Sequence, residues 1–589
     1  MKVTLSTQLW RSFEVGGRTD FLISPETTLS YSEMQEGIRC WMALFDEAGL
    51  AQGDRFVLRT DRQETAISGF LAGLIDGVVP VLLEGSCPDQ RLASIISAVD
   101  PKLVVSDANL PALEPTIMGQ VLKTVERRRG PSALFRRKSG NDFGLGTKAA
   151  SRAPRLPVDD TLAYLLFTSG TTAAPSGVEI TRANLAANLE TLTRLGQFSG
   201  TSRIFNDMIL AHADGMIQGP VLAAWNRAAV VRSGGFEVQK IEIWLSEIRQ
   251  IRATHVLAVP TIWAMIDRYA AHDDYFDGPE CAMLITVAAK MPADLLGRIE
   301  QRFGRPLVNH FGLTETVASA LYSGNHTEMG TPGTIGKPVD CEARIEGGAD
   351  EGELQLRGDN IFNGYWRNPD RTRQSFTDDG WFKTGDIARM REDGSFDYLG
   401  RLKTVIMSGG VLILPDEIDE ALLRHPAVVE SATVGVPDDM FGEIGMTGVV
   451  LSDPVDEPAL VAHLRDHVEP RKIPKRIHVL SEIPRGLSGK VNTQALRAVL
   501  TDAPDSSQPT AHATNIQTDV LAIAAKVFRV SAEQLSLRST PDDVEGWDSF
   551  TQLNLILSIE DHFDQQIPVA RVSALRRLGD FVTALQDCE

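Results

Sequence analysis

Residues 164–178 read YLLFTSGTTAAPSGV, an apolar run that passes directly into small hydroxyl and glycine residues. The apolar part predicts a buried strand, since short apolar runs bounded by turn residues are typical of parallel sheets. A Ser/Thr/Gly loop after a strand brings backbone N–H groups and hydroxyl donors close to an anion, which suits polyphosphate. The loop lacks the GxxxxGK[ST] pattern of the P-loop. On its own, this segment fits both a phosphate-binding loop and a plain surface turn.

The chain around this segment alternates helical patterns with short apolar runs. Strands are predicted at residues 102–105, 162–167 and 255–259. Residues 66–83 predict a helix that passes through a glycine turn into a buried strand. Alternation of this kind indicates βαβ units. We therefore expect a large α/β domain built on mostly parallel sheets with helices.

Further motifs follow the hydroxyl-rich loop in a fixed order. They are residues 309–315 (NHFGLTE), 380–386 (GWFKTGD), 400–403 (GRLK), 409–410 (GG), 414–418 (LPDEI) and 484–490 (PRGLSGK). The order and spacing over residues 20–500 resemble the adenylate-forming superfamily, which includes acyl-CoA synthetases and the adenylation domains of peptide synthetases. This resemblance implies an ATP-dependent ligase that joins a carboxylic acid to a thiol through an acyl-AMP.

The resemblance assigns a role to each motif residue. The β- and γ-phosphates of ATP would lie against the hydroxyl-rich loop, namely Thr168, Ser169, Gly170, Thr171 and Thr172. Glu315 would hold Mg²⁺, and Thr314 would touch the α-phosphate. Phe311 would stack on adenine. Such sites work by placing cations and oriented donors where phosphoryl charge develops.

Three more residues complete the expected nucleotide site. Asp386 would accept hydrogen bonds from both ribose hydroxyls. Arg401 would support the ribose and the phosphate. Lys490 would bridge the attacking carboxylate and the α-phosphate as a point charge. The loop departs from the family pattern at Ala173 and Ser176, where a Gly and a Lys are usual. The missing cation predicts weaker hold on pyrophosphate rather than loss of activity.

The end of the chain carries a second resemblance. Residues 542–563 read DDVEGWDSFTQLNLILSIEDHF, in which Ser549 precedes a helical pattern. A serine there is commonly a plain helix cap. In a short acidic tail, however, the segment resembles acyl and peptidyl carrier proteins, in which a phosphopantetheinyl transferase attaches 4′-phosphopantetheine to that serine. The resemblance implies an all-α four-helix carrier domain whose phosphopantetheine thiol takes the acyl group from the acyl-AMP made by the same chain. The loaded carrier would then pass the acyl group to a downstream synthetase or tailoring enzyme, as in secondary-metabolite biosynthesis.

These patterns predict four parts of the chain. They are a large adenylation domain at 1–400, a small mobile α+β subdomain at 401–503, a linker at 504–514 and the carrier at 515–589. The linker is rich in Pro, Ser, Ala and Thr, which is typical of flexible connections. By resemblance, Lys403 is the hinge about which the small subdomain rotates between the two half-reactions.

The acid substrate is the least determined feature of the sequence. Amino-acid-activating relatives hold the ammonium group with an aspartate after an aromatic residue, whereas this chain has His212 and Ala213 there. An ammonium group without a counter-charge would be costly to bury. Asp214 would restore the anchor only in a shifted alignment. We expect a small non-amino carboxylic acid and keep three alternatives: a ligase using free coenzyme A, an amino-acid-activating didomain and a non-catalytic scaffold that presents the carrier.

Composition excludes several classes of protein. The chain has 589 residues and a net charge of −20, which disfavours a nucleic-acid partner because that affinity rests on cations. Its five cysteines stand far apart, so neither a disulfide framework nor a zinc site is expected. No signal peptide or membrane span is evident, and we expect a cytoplasmic protein.

Overall fold

The structure is a computed structural model. It describes residues 4–110, 113–122, 143–167, 176–289, 291–408, 411–438, 442–465, 467–468, 472–485, 491–502, 516–528, 530–531, 534–541, 543–544, 547, 549–563, 565, 567, 571 and 575–586.

Helices and strands alternate along most of the described chain. The helices are α1 (Leu5–Gly16), α2 (Tyr31–Glu47), α3 (Gln63–Asp76), α4 (Asp89–Val99), α5 (Arg182–Gly196), α6 (Ala213–Met216), α7 (Leu222–Asn226), α8 (Ile241–Gln250), α9 (Pro260–Tyr269), α10 (Ala293–Phe303), α11 (Pro369–Gln374), α12 (Pro415–Leu423), α13 (Glu457–Arg465), α14 (Thr493–Asp502), α15 (Ile516–Phe528), α16 (Ser549–Phe563) and α17 (Leu578–Gln586). The strands are β1 (Asp20–Ile23), β2 (Thr28–Ser30), β3 (Arg55–Arg59), β4 (Val79–Leu83), β5 (Leu103–Ser106), β6 (Met118–Val121), β7 (Leu162–Phe167), β8 (Gly177–Thr181), β9 (Arg203–Asn206), β10 (Ala229–Val231), β11 (His255–Ala258), β12 (Met283–Val287), β13 (Leu307–Phe311), β14 (Leu321–Ser323), β15 (Lys337–Pro338), β16 (Cys341–Ile345), β17 (Glu351–Gly358), β18 (Gly364–Tyr365), β19 (Phe382–Met390), β20 (Phe396–Arg401), β21 (Ile406–Ser408), β22 (Val411–Ile413), β23 (Val428–Asp438), β24 (Gly442–Leu451) and β25 (Arg476–Val479).

Two large sheets carry the first part of the chain. One has nine strands in the order β15-β14-β13-β12-β11-β9-β10-β1-β2, and the other has seven in the order β18-β8-β7-β4-β3-β5-β6. Their central strands are parallel, whereas β2, β8, β14, β15 and β18 pair antiparallel at or near the edges. The predicted large α/β domain is therefore confirmed, but its sheets are mixed rather than mostly parallel. A third sheet, β16-β17-β19-β20, is wholly antiparallel and was not predicted.

The predicted helix–turn–strand at residues 66–83 shows how local sequence sets local structure. Helix α3 ends at Gly77, which has a left-handed backbone with φ of 84°. Such a backbone favours glycine because a Cβ atom would be strained there. The chain then enters β4, whose five residues are all buried. Strands β7 and β11 likewise fall within or at the predicted positions.

A smaller α+β unit follows the third sheet. Strands β21 to β25 form its sheet, and α12 and α13 pack on it around a buried apolar cluster. The C-terminal subdomain predicted from the sequence fits this unit. Throughout this article, "large domain" means the described residues before 401 and "C-terminal subdomain" means those from 401 to 502.

The described residues beyond 515 form a third unit, which we call the tail. It contains the helices α15, α16 and α17, and Ser549 is the first residue of α16. The predicted four-helix carrier fold remains a prediction. None of the helices in the described part of the chain combines the length and apolar character that a bilayer crossing requires.

Candidate active site

A buried carboxylate lies at the centre of the candidate site. Asp386 is part of β19 and has no exposed surface. Arg401 Nε, at the end of the neighbouring strand β20, lies 2.6 Å from Asp386 Oδ1. Neither carboxylate oxygen accepts a well-aligned hydrogen bond from another described group. Burial raises the pKa of Asp386 to about 7, although Arg401 opposes the shift.

An unsatisfied buried carboxylate is costly, so this arrangement indicates a place for donors from outside the chain. Tyr398 lies on β20, the strand that pairs with the strand of Asp386. Phe311 ends β13 and is half-buried, with its ring 6.5 Å from that of Tyr398 on β20. The Phe311 ring therefore lies near the strand pair that carries Asp386 and Arg401, through its neighbour Tyr398. The two rings and the carboxylate match the chemistry of a nucleoside.

Glu315 stands in a single 3-10 turn that starts at Thr314, just after β13. The Tyr365 hydroxyl donates to Glu315 Oε1 at 2.7 Å, and the Glu315 carbonyl accepts from the Phe362 N–H. Both ends of the residue are therefore held. Burial, followed by the Glu315 charge, raises the pKa of Tyr365, which keeps this phenol a donor.

Glu315 offers a carboxylate, which is the usual protein ligand of a Mg²⁺ ion that binds together with a nucleotide. Among the described residues, no three side chains of His, Cys, Asp or Glu converge as ligands for a metal. Magnesium is commonly held by one or two carboxylates together with substrate phosphates and water. Glu315 would therefore be the protein ligand, positioned by Tyr365.

The predicted substrate residues lie at the start of α6: His212 is its N-cap, and Ala213 and Asp214 are in its first turn. His212 is about half exposed, and its Nε2 atom lies 3.8 Å from a carboxylate oxygen of Glu84. Ala213 is buried. Asp214 Oδ1 accepts from Gln218 Nε2 at 2.7 Å, so this carboxylate is engaged within the protein.

Gln218 connects Asp214 of α6 to His310 of β13 through its side-chain amide. It belongs to a π-helical turn, Ile217–Val221, and its Oε1 atom lies 2.8 Å from His310 Nδ1. Because the Gln218 amide nitrogen donates to Asp214, its oxygen accepts from His310, and the imidazole proton therefore sits on Nδ1. Burial, assisted by His255, lowers the pKa of His310 to about 3, so the ring is neutral. Its Nε2 atom is buried with no hydrogen-bond partner among the described groups.

Several predicted residues lie outside the described residues. These are Thr168, Ser169, Gly170, Thr171, Thr172, Ala173 and Lys490. Ser176 is described and stands half-buried just before β8. Lys403 belongs to an exposed 3-10 turn, Leu402–Thr404. Ser549 is the first residue of α16 on the tail.

The family to which the chain belongs follows from comparison with known proteins. The family of AMP-binding enzymes matches residues 9–366, and the AMP-binding enzyme C-terminal domain matches residues 417–490. The chain belongs to the AMP-binding enzymes. With its named relatives, this membership confirms the predicted class of reaction, an ATP-dependent acid–thiol ligase.

Three relatives illustrate the similarity. A sulfoacetate–CoA ligase of Cupriavidus necator is 35% identical over 353 residues, which cover 58% of this chain and 68% of that protein. An oxalate–CoA ligase of Arabidopsis thaliana is 28% identical over 501 residues, covering 82% of this chain and 95% of that protein. The crystal structure of ATP-bound MatB from Rhodopseudomonas palustris has a TM-score of 0.73 at 26% identity, covering 85% of this chain and 99% of MatB.

Sequence motifs did not reveal every residue that shapes the site. Tyr365, Tyr398, Gln218 and His310 all contact or adjoin the predicted residues but were given no role. Tyr365 lies 50 residues beyond Glu315, and His310 lies 92 residues beyond Gln218. No local pattern connects partners so far apart. His310 stands inside the NHFGLTE motif, which is the available signal for it.

Proposed function

We propose that this enzyme activates a small non-amino carboxylic acid as acyl-AMP and transfers the acyl group to the thiol of free coenzyme A. The observation that carries the proposal is the buried carboxylate of Asp386, which is paired with Arg401 and accepts no well-aligned hydrogen bond from the described residues. That arrangement supports a site for a ribose and its base. The named CoA ligases among the relatives favour coenzyme A as the acceptor.

In the first half-reaction, an oxygen of the substrate carboxylate attacks the α-phosphorus of ATP. The bond from that phosphorus to the bridging oxygen breaks, and pyrophosphate leaves with the electron pair. Asp386 would accept from the ribose hydroxyls, while Phe311 would stack on the base. Arg401, Thr314 and the residues of the hydroxyl-rich loop would hold the phosphates. Mg²⁺, when bound at Glu315, neutralises phosphate charge.

In the second half-reaction, the acceptor thiol loses its proton to solvent. Its sulfur then attacks the acyl carbonyl carbon, the C–O bond to phosphate breaks, and AMP leaves. Lys490 would serve only the first half-reaction, because its cation lies between the carboxylate and the α-phosphate in that assignment. Rotation about the exposed turn at Lys403 would exchange the two arrangements.

We infer the substrate class from residues 212–214 and from the names of the relatives. Ala213 offers no charge for an ammonium group, and the Asp214 carboxylate is already engaged by Gln218. An ammonium group facing Ala213 would therefore receive no counter-charge from that residue, at the position where amino-acid-activating relatives have an aspartate. Three relatives are named for sulfoacetate, oxalate and malonate, which are small acids with a second anionic group. Acids of this kind are therefore the first to assay.

A second candidate acceptor is a phosphopantetheine arm on Ser549. It is favoured by the position of Ser549 as the first residue of α16, since a helix N-terminus stabilises a phosphodiester. In that case the enzyme would load its own tail after modification by a phosphopantetheinyl transferase.

The test is ATP–pyrophosphate exchange over a panel of small dicarboxylic, sulfonated, aryl, fatty and amino acids. The best acid is then incubated with ATP, Mg²⁺ and coenzyme A, and the products are followed by chromatography and intact-protein mass. We expect exchange with a non-amino acid and release of acyl-CoA. Exchange with amino acids alone would overturn the substrate class. If acyl groups appeared on the protein and no acyl-CoA were released, free coenzyme A would not be the acceptor.

A further inference from the structure

Helix α16 of the tail contacts the large domain through a buried carboxylate. Glu560 is 9% exposed, and its Oε2 atom accepts from Arg268 Nη2 at 2.7 Å. Its Oε1 atom accepts from the Ile567 N–H at 2.9 Å, within the tail. Burial raises the pKa of Glu560, whereas Arg268 opposes that shift. Glu560 therefore serves both the fold of the tail and its contact with α9.

Apolar packing surrounds this charged pair. The buried residues of the tail and those of the outer helices α8 and α9 belong to one continuous apolar cluster. Helix α16 also lies against the 3-10 turn Val238–Lys240, in which Val238 is fully buried. A tail that merely hung from its linker would not share a core with the large domain.

The same helix also reaches the C-terminal subdomain. Ser558 is two residues before Glu560 and is buried, and its hydroxyl donates to the Ser481 carbonyl at 3.3 Å. Ser481 follows β25 closely in the chain. Helix α16 thus touches both bodies whose relative rotation the proposed reaction requires.

We propose that the tail docks on the outer face of the large domain formed by α9 and the turn Val238–Lys240, with Glu560 and Arg268 as a charged latch, and that the docked α16 braces the C-terminal subdomain. The partner for this surface is therefore a segment of the chain itself. This inference goes beyond the proposed function and holds whichever thiol is the acceptor.

The physical case for a latch is the cost of an unpaired buried charge. A carboxylate removed from water is tolerated when a cation pairs with it, and breaking the pair leaves that cost in place. Docking consequently depends on Arg268 more than an exposed ion pair would require.

The test compares hydrogen–deuterium exchange in full-length variants without substrates. Arg268→Glu sets two carboxylates against each other, Arg268→Lys keeps the charge, and Arg249→Glu breaks an exposed ion pair with Asp274 in the same domain. We expect about tenfold faster exchange at residues 238–240 and 549–563 in Arg268→Glu, because exchange reports local opening. Arg268→Lys should largely restore protection, and Arg249→Glu should match the wild type.

Two results would overturn the latch. One is unchanged exchange in Arg268→Glu, and the other is equal acceleration in Arg268→Glu and Arg249→Glu, which would indicate general loosening. The brace is tested in the same experiment at residues around Ser481. Faster exchange there in Arg268→Glu supports the brace, whereas unchanged exchange overturns it. ATP–pyrophosphate exchange is measured separately, so failure of the proposed function does not affect this outcome.

Discussion

At the scale of single residues, the charged form of Asp386 that would bind the ribose is also the form that lowers the stability of the nucleotide-free protein. Its pKa in the folded protein is raised to about 7, so folding favours the protonated form. Stability from this group is present at low pH and is lost as pH rises toward and through 7. At pH 8 the folded protein without nucleotide therefore carries an unfavourable buried charge. Ribose hydroxyls would compensate for that charge once ATP binds.

We predict that Asp386→Asn raises the Tm of the nucleotide-free protein at pH 8 by about 1–3 °C. The same change should raise the KM for ATP, because an amide offers the ribose one acceptor in place of two. Differential scanning calorimetry measures the change in Tm, and steady-state kinetics with ATP varied measures the KM. The gain in Tm should shrink at pH 5, where Asp386 is protonated in the wild type.

Asp379→Asn is the matched control for this prediction. Asp379 is exposed, and its pairing with Arg344 holds the pKa of the carboxyl well below its usual range. Removing that charge should leave Tm unchanged or lower it. A gain in Tm from both variants would show that the effect comes from the lower net negative charge and not from burial of Asp386.

A second residue-scale prediction concerns the polar chain Asp214–Gln218–His310. Gln218→Leu removes the amide that bonds both neighbours, leaving a carboxylate and a buried imidazole without it. An unsatisfied buried group costs about 1–3 kcal/mol. We predict that the KM for the acid rises by roughly 5- to 100-fold while the KM for ATP stays near the wild-type value.

Steady-state kinetics with each substrate varied in turn checks this split. Gln250→Leu, at an exposed position that ends α8, is the control. Equal increases in both KM values would mean that Gln218 supports the fold of the whole site. No change in either would mean that the polar chain does not position the acid.

The sequence predicts the site residues that lie in motifs, but it does not predict contacts between residues that are far apart in the chain. Asp386 and Arg401 were predicted for one site, and the structure pairs them across two strands. Gln218, in the π-helical turn, and His310, in β13, come into contact only in the folded chain. Their contact depends on tertiary packing, which leaves no periodic signal in either segment.

At the scale of elements, periodicity predicted the buried strands well. The predicted strand at 162–167 is β7 itself, because a fully buried strand is a continuous apolar run. The antiparallel sheet β16-β17-β19-β20 was missed for the opposite reason. Its strands are neither fully buried nor cleanly alternating in burial, and register shifts interrupt β17 and β19. Such patterns do not distinguish a strand from a polar turn region.

The turn at Lys403 yields the prediction that belongs to this scale. Leu402–Thr404 is a short exposed 3-10 turn between β20 and the C-terminal subdomain. Proline fixes φ and restricts the residue before it, so Lys403→Pro should limit rotation there. We predict that ATP–pyrophosphate exchange persists while acyl-CoA formation falls by about tenfold or more.

Lys403→Ala serves as the control, since it removes the same side chain and leaves the backbone free. Single-turnover assays of each half-reaction separate the two effects. If acyl-CoA formation in Lys403→Pro matched that in Lys403→Ala, the rotation would have to take place at another position. If exchange also fell, the proline would have disturbed Arg401 two residues earlier.

At the scale of the whole molecule, the sequence indicated an adenylate-forming ligase with an additional helical tail. The family match covers both the large domain and much of the C-terminal subdomain. The docking of α16 on α9 was not predictable, because Glu560 and Arg268 lie 292 residues apart and each resembles an ordinary surface charge in the sequence. Only the folded chain shows that one of them is buried.

The last prediction decides what the tail contributes to the reaction. Every residue assigned to ATP and the acid lies before position 491, whereas Ser549 lies on α16. If free coenzyme A is the acceptor, Ser549→Ala should form acyl-CoA at the wild-type rate, with wild-type pyrophosphate exchange. The protein is treated with a phosphopantetheinyl transferase, Mg²⁺ and coenzyme A, which donates the phosphopantetheine, and then with ATP, the acid and fresh coenzyme A, and intact mass is recorded at each step. A pantetheine and an acyl group that appear on the wild type and are absent from Ser549→Ala would contradict the coenzyme A proposal and establish the tail as a carrier.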